Sequence, residues 1–418
     1  MTAFLPCPWM SLRARTPAAD AFIHLNHAST SLPDQAVFDA QRDFLDLEAS
    51  LGMHRAVDRM GDALAEVPAL VARLIGAQPE HIAFVDSAAR GWAQALSAVA
   101  PGQLLEVFVS RQEWAANVMT VANLARARMT IVPHPVGGDW AGVVATALDQ
   151  RDRSRIPVLS LPLQSSFCGE PNCLDGVASL VRDAGGWLFV DASQAIGQSA
   201  VDMRMLGADV LVFPARKWLR GPRGISVLAL SERALSYSSQ TPTSTASDQT
   251  PTGFGLPAML DVHGTRFDMD AAPTLSPKPG ASRFQAYDHA PALRLGLGAA
   301  VAVLLAATVD KVNAQILAMA TGLRARMAQI DGVTLADAGG SGLVCLRMTG
   351  IDHQEVVRGL WQRHINIATV GAVYAPLAFG ADDSVLRLSP HVLNREWELD
   401  RVQEAIAQAV DCARNKHA

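Results

Sequence analysis

From residue 81 onward the chain alternates between short apolar runs and longer amphipathic stretches. His81–Asp86, Leu104–Ser110, Thr130–Pro135, Pro157–Leu163, Gly186–Asp191, Ala208–Pro214 and Gly224–Leu230 read as strands. Ser87–Ala100, Trp114–Arg128 and Leu174–Ala184 read as helices between them. The runs are rich in Val, Ile and Leu with little alternation, the pattern of strands covered on both faces. A mixed or mostly parallel sheet packed between helices follows, so the expected class is α/β. Ser236–Gly255 is a Ser/Thr/Pro stretch without an apolar period, and Leu275–Ser282 is similar; both read as loops. Pro291–Ala328 reads as a long helical region with a break near Asp310. A strand (Gly342–Arg347), a helix (Gln354–His364), extended pieces (Ile365–Thr369 and Val385–Leu388) and a last helix (Arg395–Cys412) complete the pattern. The expected organisation is an N-terminal arm with helices (1–80), a large domain (81–282) with a loop insertion at 236–282, and a long helix with a smaller α+β domain (283–418).

Composition narrows the partners. Half of the 418 residues are hydrophobic, enough for a large core. A net charge of −5 argues against nucleic acid, which needs a basic surface. The strongly apolar stretch Leu295–Val309 is fifteen residues long. A membrane span needs roughly twenty, so a buried helix and no membrane contact are expected. The first twenty residues mix Pro6, Pro8 and Pro17 with Arg13 and Arg15, which is no secretory signal pattern. The five cysteines are odd in number in a long chain, pointing to a reducing compartment, hence the cytoplasm. Cys168 and Cys173 lack the further Cys or His that zinc requires, so no metal site is expected.

The basic residues are thirty-one arginines and only four lysines: Lys217, Lys278, Lys311 and Lys416. Lysine chemistry therefore has few candidates. Gly186–Asp191 ends in a carboxylate, and Ala208–Pro214 runs into Ala215-Arg216-Lys217. Ligands of open α/β sheets bind at strand carboxyl ends, which places Asp191 and Lys217 at one site. That pair suits pyridoxal phosphate, which needs a lysine amine to hold it covalently and a carboxylate to keep its ring nitrogen protonated. From spacing alone, a helix-capping Asp191 and a surface Lys217 serve equally well. Ser87-Ala88-Ala89 follows a strand and opens a helix, where free N–H groups can face an anion or simply be capped. Trp114 near another strand end can stack on a planar ring or fill the core. Arg387 interrupts an apolar strand, as a carboxylate-binding or an ion-paired guanidinium does.

Together these segments resemble class V of the pyridoxal-phosphate aminotransferase superfamily, of fold type I. The likeness runs from Leu25-Asn26-His27-Ala28 to the last helix. Asp191, Gln194, Lys217 and Gly221-Pro222 match its most diagnostic segment in order and spacing. Ser87-Ala88-Ala89 resembles its phosphate cup, and Glu113-Trp114 to Asn117 its ring-stacking stretch. Arg387 to Asn394 resembles its substrate-carboxylate segment, and Arg283-Phe284-Gln285 a landmark before the small domain. The resemblance implies a homodimer, with Tyr287-Asp288-His289 a candidate for reaching the neighbouring site. It also implies that Ser87, Ala88, Ala89, Trp114, Ser166, Asp191, Gln194, Arg216 and Lys217 hold the cofactor. Arg387, Asn26 and His27 then bind an amino-acid substrate. The chain departs from the family in three places. Pro214 stands where a phosphate-binding Ser or Thr is usual, Arg216 where His often precedes the lysine, and Leu163-Gln164-Ser165-Ser166 where members often carry His and Asn before the contact to the ring hydroxyl, which leaves Ser166 as a weaker positional match for that contact.

The family includes cysteine desulfurases, C–S lyases, aminotransferases and epimerases. A persulfide-forming desulfurase needs a nucleophilic cysteine on a loop of the small domain. No Cys lies between Ile365 and Arg387, and Cys345 sits in an apolar run that reads as a buried strand. Lys217–Gly224 is similar to isopenicillin-epimerase-like proteins and to C–S lyases acting on cysteine conjugates. The expected function is a C–S lyase working by β-elimination on an S-substituted cysteine. An aminotransferase or epimerase is the alternative, and a desulfurase is not expected.

Overall fold

The structure is a computed structural model and describes residues 8–135, 138–236, 254–269 and 274–417. After a two-residue strand, β1 (Ile23–His24), a seven-stranded sheet is built from β2 (Ile82–Val85), β3 (Leu105–Ser110), β4 (Ala127–Val132), β5 (Ile156–Pro162), β6 (Trp187–Asp191), β7 (Val210–Pro214) and β8 (Ser226–Leu230). Its order is β2-β8-β7-β6-β5-β3-β4. Neighbours from β4 to β7 pair in parallel, and β8 pairs antiparallel with both β7 and β2. Consequently β2 to β7 all end on one edge, and β8 alone begins there. Successive residues feed two cores. Leu211 and Phe213 pack on one face, and Val210 and Val212 on the other. That two-sided burial explains the missing alternation.

Boundaries moved where pairing overrode local preference. The helix expected over Trp114–Arg128 is Ala115–Asn123, and the strand expected from Thr130 begins at Ala127. Pairing of Ala127 with Leu105 claims the end of the helical pattern. The Arg126 guanidinium fixes the turn by donating to the carbonyls of Leu96, Ser97 and Gln103. A helix over Trp140–Asp149, capped by Asp139, was not anticipated. Leu275–Ser282 is not all loop. β9 (Thr265–Asp268) pairs antiparallel with β10 (Thr274–Pro277), followed by a 3-10 turn at Ala281–Phe284. Four residues ending in proline are too few to show a period. Most of the stretch Ser236–Gly255 lies outside the described residues.

The helical region divides into Pro291–Ala307 and Val309–Met327, bent by 82° at Thr308. Thr308 takes φ +61°, which ends the first helix two residues before the expected break. Among the described residues no single helix is long and apolar enough to cross a membrane. A four-stranded antiparallel sheet follows, formed by β11 (Val333–Leu335), β12 (Val344–Met348), β14 (Ala368–Gly371) and β15 (Ser384–Leu388) in the order β11-β12-β15-β14. The short β13 (Ile365–Asn366) pairs in parallel with β1. Helices Gln35–Leu51 and Gly61–Ile75 pack on Pro291–Ala307. Residues 24–31 thus cross from the small sheet to the large one. Asn26 bridges to Ser389, and the Ser31 N–H donates to the Arg216 carbonyl at 2.7 Å.

Candidate active site

The shared carboxyl edge creates a cavity of about 250 Å³. Asp191 is the last residue of β6, and Lys217 lies three residues beyond β7. Both line this cavity, together with Ser87, Ala88, Ala89, Trp114, Ser166, Gln194 and Arg216. Residues from five strand ends therefore converge because the five strands run the same way.

Lys217 is buried, with Nζ 5.6 Å from the centre of the Trp114 ring. Burial pushes its amine down to about 7; Asp191 opposes this, and the nearby Arg216 and Arg387 add to it. A neutral, nucleophilic amine is therefore well populated at neutral pH. The Asp191 Oδ1 accepts the Ser193 N–H at 2.8 Å, and no other hydrogen bond engages the carboxylate among the described residues. Behind it lies the fully buried Glu113, whose carboxyl is pushed up to about 7 by burial and by the Asp191 charge. Glu113 accepts from Ser160 Oγ at 2.9 Å, Asn117 Nδ2 at 2.8 Å and the Trp114 N–H at 3.0 Å. These bonds fix the backbone from which the indole projects. The Trp114 ring also stacks with Tyr374, centroids 5.5 Å apart and planes at 16°.

Ser87 caps the helix Ala88–Ala98 by accepting the Arg90 N–H. The Gln194 amide is committed on both sides, accepting from Trp218 Nε1 at 2.8 Å and donating to the Ala28 carbonyl at 3.2 Å. Arg387 is 5% exposed in β15 and stands outside the residues that line the cavity, touching its wall through Ser166. Its Nη1 donates to the Ser166 carbonyl at 2.8 Å and its Nη2 to Ser29 Oγ at 2.6 Å, while Nε has no acceptor among the described residues. Burial pushes this guanidinium down to about 10. Among the described residues no acidic side chain pairs with it. A buried cation held only by neutral oxygens favours an incoming anion.

His27 is not brought to the cavity. Its ring is fully buried against those of His24 (4.5 Å) and His391 (4.9 Å), with Nδ1 bonded to Ser31 Oγ at 2.8 Å. Burial holds its imidazole well below the usual range. Asn26 lies at the bridge to Ser389 and does not line the cavity either; its buried Oδ1 has no donor. Both sit on the crossing segment, whose side chains pack into the seam between the two sheets. Sequence reading did not single out Gln112, Ser193, Arg223 or Ser226, which also line the cavity. For Ser226 only the strand register would have revealed it.

The donor set fits pyridoxal phosphate. Among the described residues it offers a buried amine without a hydrogen-bond partner, a carboxylate with a free oxygen, an indole wall and an electropositive end. Lys217, Asp191 and Trp114 would hold the ring, and Ser87, Arg216 and the start of the Ala88–Ala98 helix the phosphate.

Comparison with known proteins agrees. The aminotransferase class-V family model matches residues 23–252. A probable hercynylcysteine sulfoxide lyase of Mycobacterium tuberculosis (strain CDC 1551 / Oshkosh) is 26% identical over 400 residues, covering 95% of this chain and 92% of that protein. A probable cysteine desulfurase of Pasteurella multocida (strain Pm70) is 27% identical over 230 residues, 52% of each chain. The crystal structure of the cysteine desulfurase CsdA from Escherichia coli superposes with a TM-score of 0.81 at 21% identity, covering 97% of this chain and 98% of its own. The cystine C–S lyase C-DES, in complex with its product cysteine persulfide, gives 0.78 at 19%, covering 94% and 99%. At these identities the solved structures establish the shared fold.

Proposed function

The chain belongs to the class-V aminotransferase family of pyridoxal-phosphate enzymes, and from that premise we propose that it is a C–S lyase, eliminating the sulfur substituent of an S-substituted cysteine or its sulfoxide. The observation that carries this reading is the chemistry lining the cavity: an amine, a carboxylate and an arginine nearby, but no thiol among the described residues. Cys345 is fully buried and burial holds its thiol far above the usual range; Cys168 is raised in the same way. Neither suits the thiolate that accepts sulfur in a desulfurase. A relative matched almost end to end is a probable hercynylcysteine sulfoxide lyase, which supports the same choice. The probable desulfurase of Pasteurella multocida matches over about half the chain.

When bound, pyridoxal phosphate supplies an electron-accepting ring that acidifies the Cα–H bond of an amino acid. With it bound, Lys217 Nζ would take the Cα proton, Asp191 would keep the ring nitrogen protonated, and Arg387 would hold the α-carboxylate. A screen of amino acids and cysteine conjugates, scoring pyruvate, keto acid and released sulfur species together, tests the function. Pyruvate formed one for one with the sulfur fragment is expected. A keto acid that retains the side chain would make the protein an aminotransferase, inverted substrate an epimerase, and alanine with protein persulfide a desulfurase.

Arg387→Ala is expected to weaken amino-acid binding by about ten- to hundred-fold, since a charge-assisted contact is worth about 1.5–3 kcal/mol. Arg387→Lys is expected to restore only part, because an ammonium lacks the planar fork. Unchanged substrate affinity in Arg387→Ala would exclude this role.

The quaternary state proposed is a homodimer. Phe267 and Leu275 lie directly opposite in the β9–β10 pair and are 59% and 42% exposed. Val262 nearby in sequence is also exposed. A second copy would cover this apolar face. Sedimentation at micromolar concentration should give twice the 44.4 kDa chain mass; an active monomer would refute it.

A further inference from the structure

We propose that Arg223 and Ser226, with Arg216, form a phosphate clamp built across the β7–β8 pair, replacing the hydroxyl that Pro214 cannot supply. The inference rests on the reading that this cavity takes pyridoxal phosphate, and it deepens that reading.

The register carries the argument. Pro214, the last residue of β7, is directly opposite Ser226, the first residue of β8. Because β8 runs opposite to β7, it starts on the edge where β7 stops. Both residues line the cavity. A hydroxyl lost from one strand is therefore available from the residue paired with it. Ser226 is 2% exposed, and no hydrogen bond engages its hydroxyl among the described residues.

The loop joining the strands carries Arg216 and Arg223, and both line the same cavity. The loop closes on itself, with the Ala215 N–H donating to the Ile225 carbonyl at 3.2 Å and the Gly221 N–H to the Ala215 carbonyl at 2.8 Å. Gly224 at φ +91° turns the chain back into β8, a conformation that favours glycine. Neither arginine has an acidic partner among the described residues. Arg216 donates to the Ser29 carbonyl. The carboxylates on the cavity wall do not neutralise the pair: Asp86 is engaged by Arg90 at 2.6 Å, and Asp191 lies beside Lys217. Burial disfavours the charge on Arg216, and the Arg223 guanidinium on the same cavity wall disfavours it further. A dianion between them would relieve that repulsion. Ser87, which also lines the cavity, caps the N–H of Arg90, and among the described residues the N–H groups of Ala88 and Ala89 have no acceptor at the helix start.

The test titrates apoprotein with pyridoxal 5′-phosphate and, separately, with pyridoxal, which lacks the phosphate, following absorbance and tryptophan quenching. Arg223→Gln is expected to weaken the phosphorylated ligand by about ten- to hundred-fold and Ser226→Ala by about three- to tenfold, with pyridoxal affinity unchanged in both. Inorganic phosphate should compete with pyridoxal phosphate in the unaltered protein and less well in Arg223→Gln. Wild-type discrimination between the two ligands in both variants would overturn the clamp. So would equal losses for both ligands, which would mark a merely structural role. If the unaltered protein bound neither ligand, the cofactor reading itself would fall, and the clamp with it.

Discussion

Lys217→Ala is expected to abolish borohydride-trappable attachment of pyridoxal phosphate and to lower turnover by at least about 10²–10⁴-fold, the contribution of a positioned proton-transfer group. The four lysines are few enough for the result to be unambiguous. Among the described residues Lys217 is the lysine that lines the cavity, beside the Trp114 ring. The variant should fold, because it removes a buried cation whose charged form is disfavoured by burial. The wild-type protein offers a second readout. Its amine is lowered to about 7, and the neutral form, which is the nucleophile, predominates above that pH. Attachment of pyridoxal phosphate to apoprotein should therefore accelerate as pH rises through about 7 and level off beyond it. A rate still climbing toward the usual lysine value would show that the amine is not desolvated. Attachment that persists at Lys278 or Lys311 in Lys217→Ala would move the site elsewhere.

Asp191→Ala should leave the fold largely intact and slow exchange of the substrate Cα proton by about 10²–10³-fold. An anion beside a ring nitrogen raises its pKa by favouring the protonated form. Without that charge, the ring no longer draws electrons from Cα as effectively. Two neighbours should report the loss in known directions. The Lys217 amine should fall below about 7, since Asp191 is the group that raises it. The Glu113 carboxyl should fall toward its ordinary value, since the Asp191 charge helps to raise it. Asp191→Asn preserves an acceptor for the Ser193 N–H and should be as slow, separating charge from packing. Exchange within a few-fold of wild type in both variants would show that another group protonates the ring nitrogen.

Local information sufficed for much of this. A Val/Ile/Leu run without alternation encodes burial on both faces, and β5, β6, β7 and β8 appear within two residues of where such runs stand. Asp191 and Lys217 follow strand ends, and a parallel sheet brings strand ends together, so the order of the elements allowed them to meet while leaving a capping Asp191 and a surface Lys217 equally open. The scarcity of lysine singled out Lys217 without any structure.

What the sequence left open depended on pairs of residues far apart along the chain. The alternatives for Arg387, an ion pair or an open anion site, differ only in what surrounds it. Ser29 and Ser166, 358 and 221 residues away, supply neutral oxygens and no carboxylate. His27 was placed with the substrate by resemblance, but the crossing of residues 24–31 between the two sheets buries it against His24 and His391. The stacking of Tyr374 on Trp114 needed the small sheet to deliver its loop to the rim of the large one. The end of the helix at Asn123 was decided by the pairing of β4 with β3. The chain's own pattern therefore determined the α/β sheet and the order of its strands, and it singled out the lysine and the carboxylate as candidates for one site. Tertiary structure decided the partners of Arg387, the place of His27 and the pairing of Ser226 with Pro214. Periodicity and composition describe how each residue meets an average interior or solvent, whereas these outcomes depend on which particular groups meet, and only strand register and docking specify that.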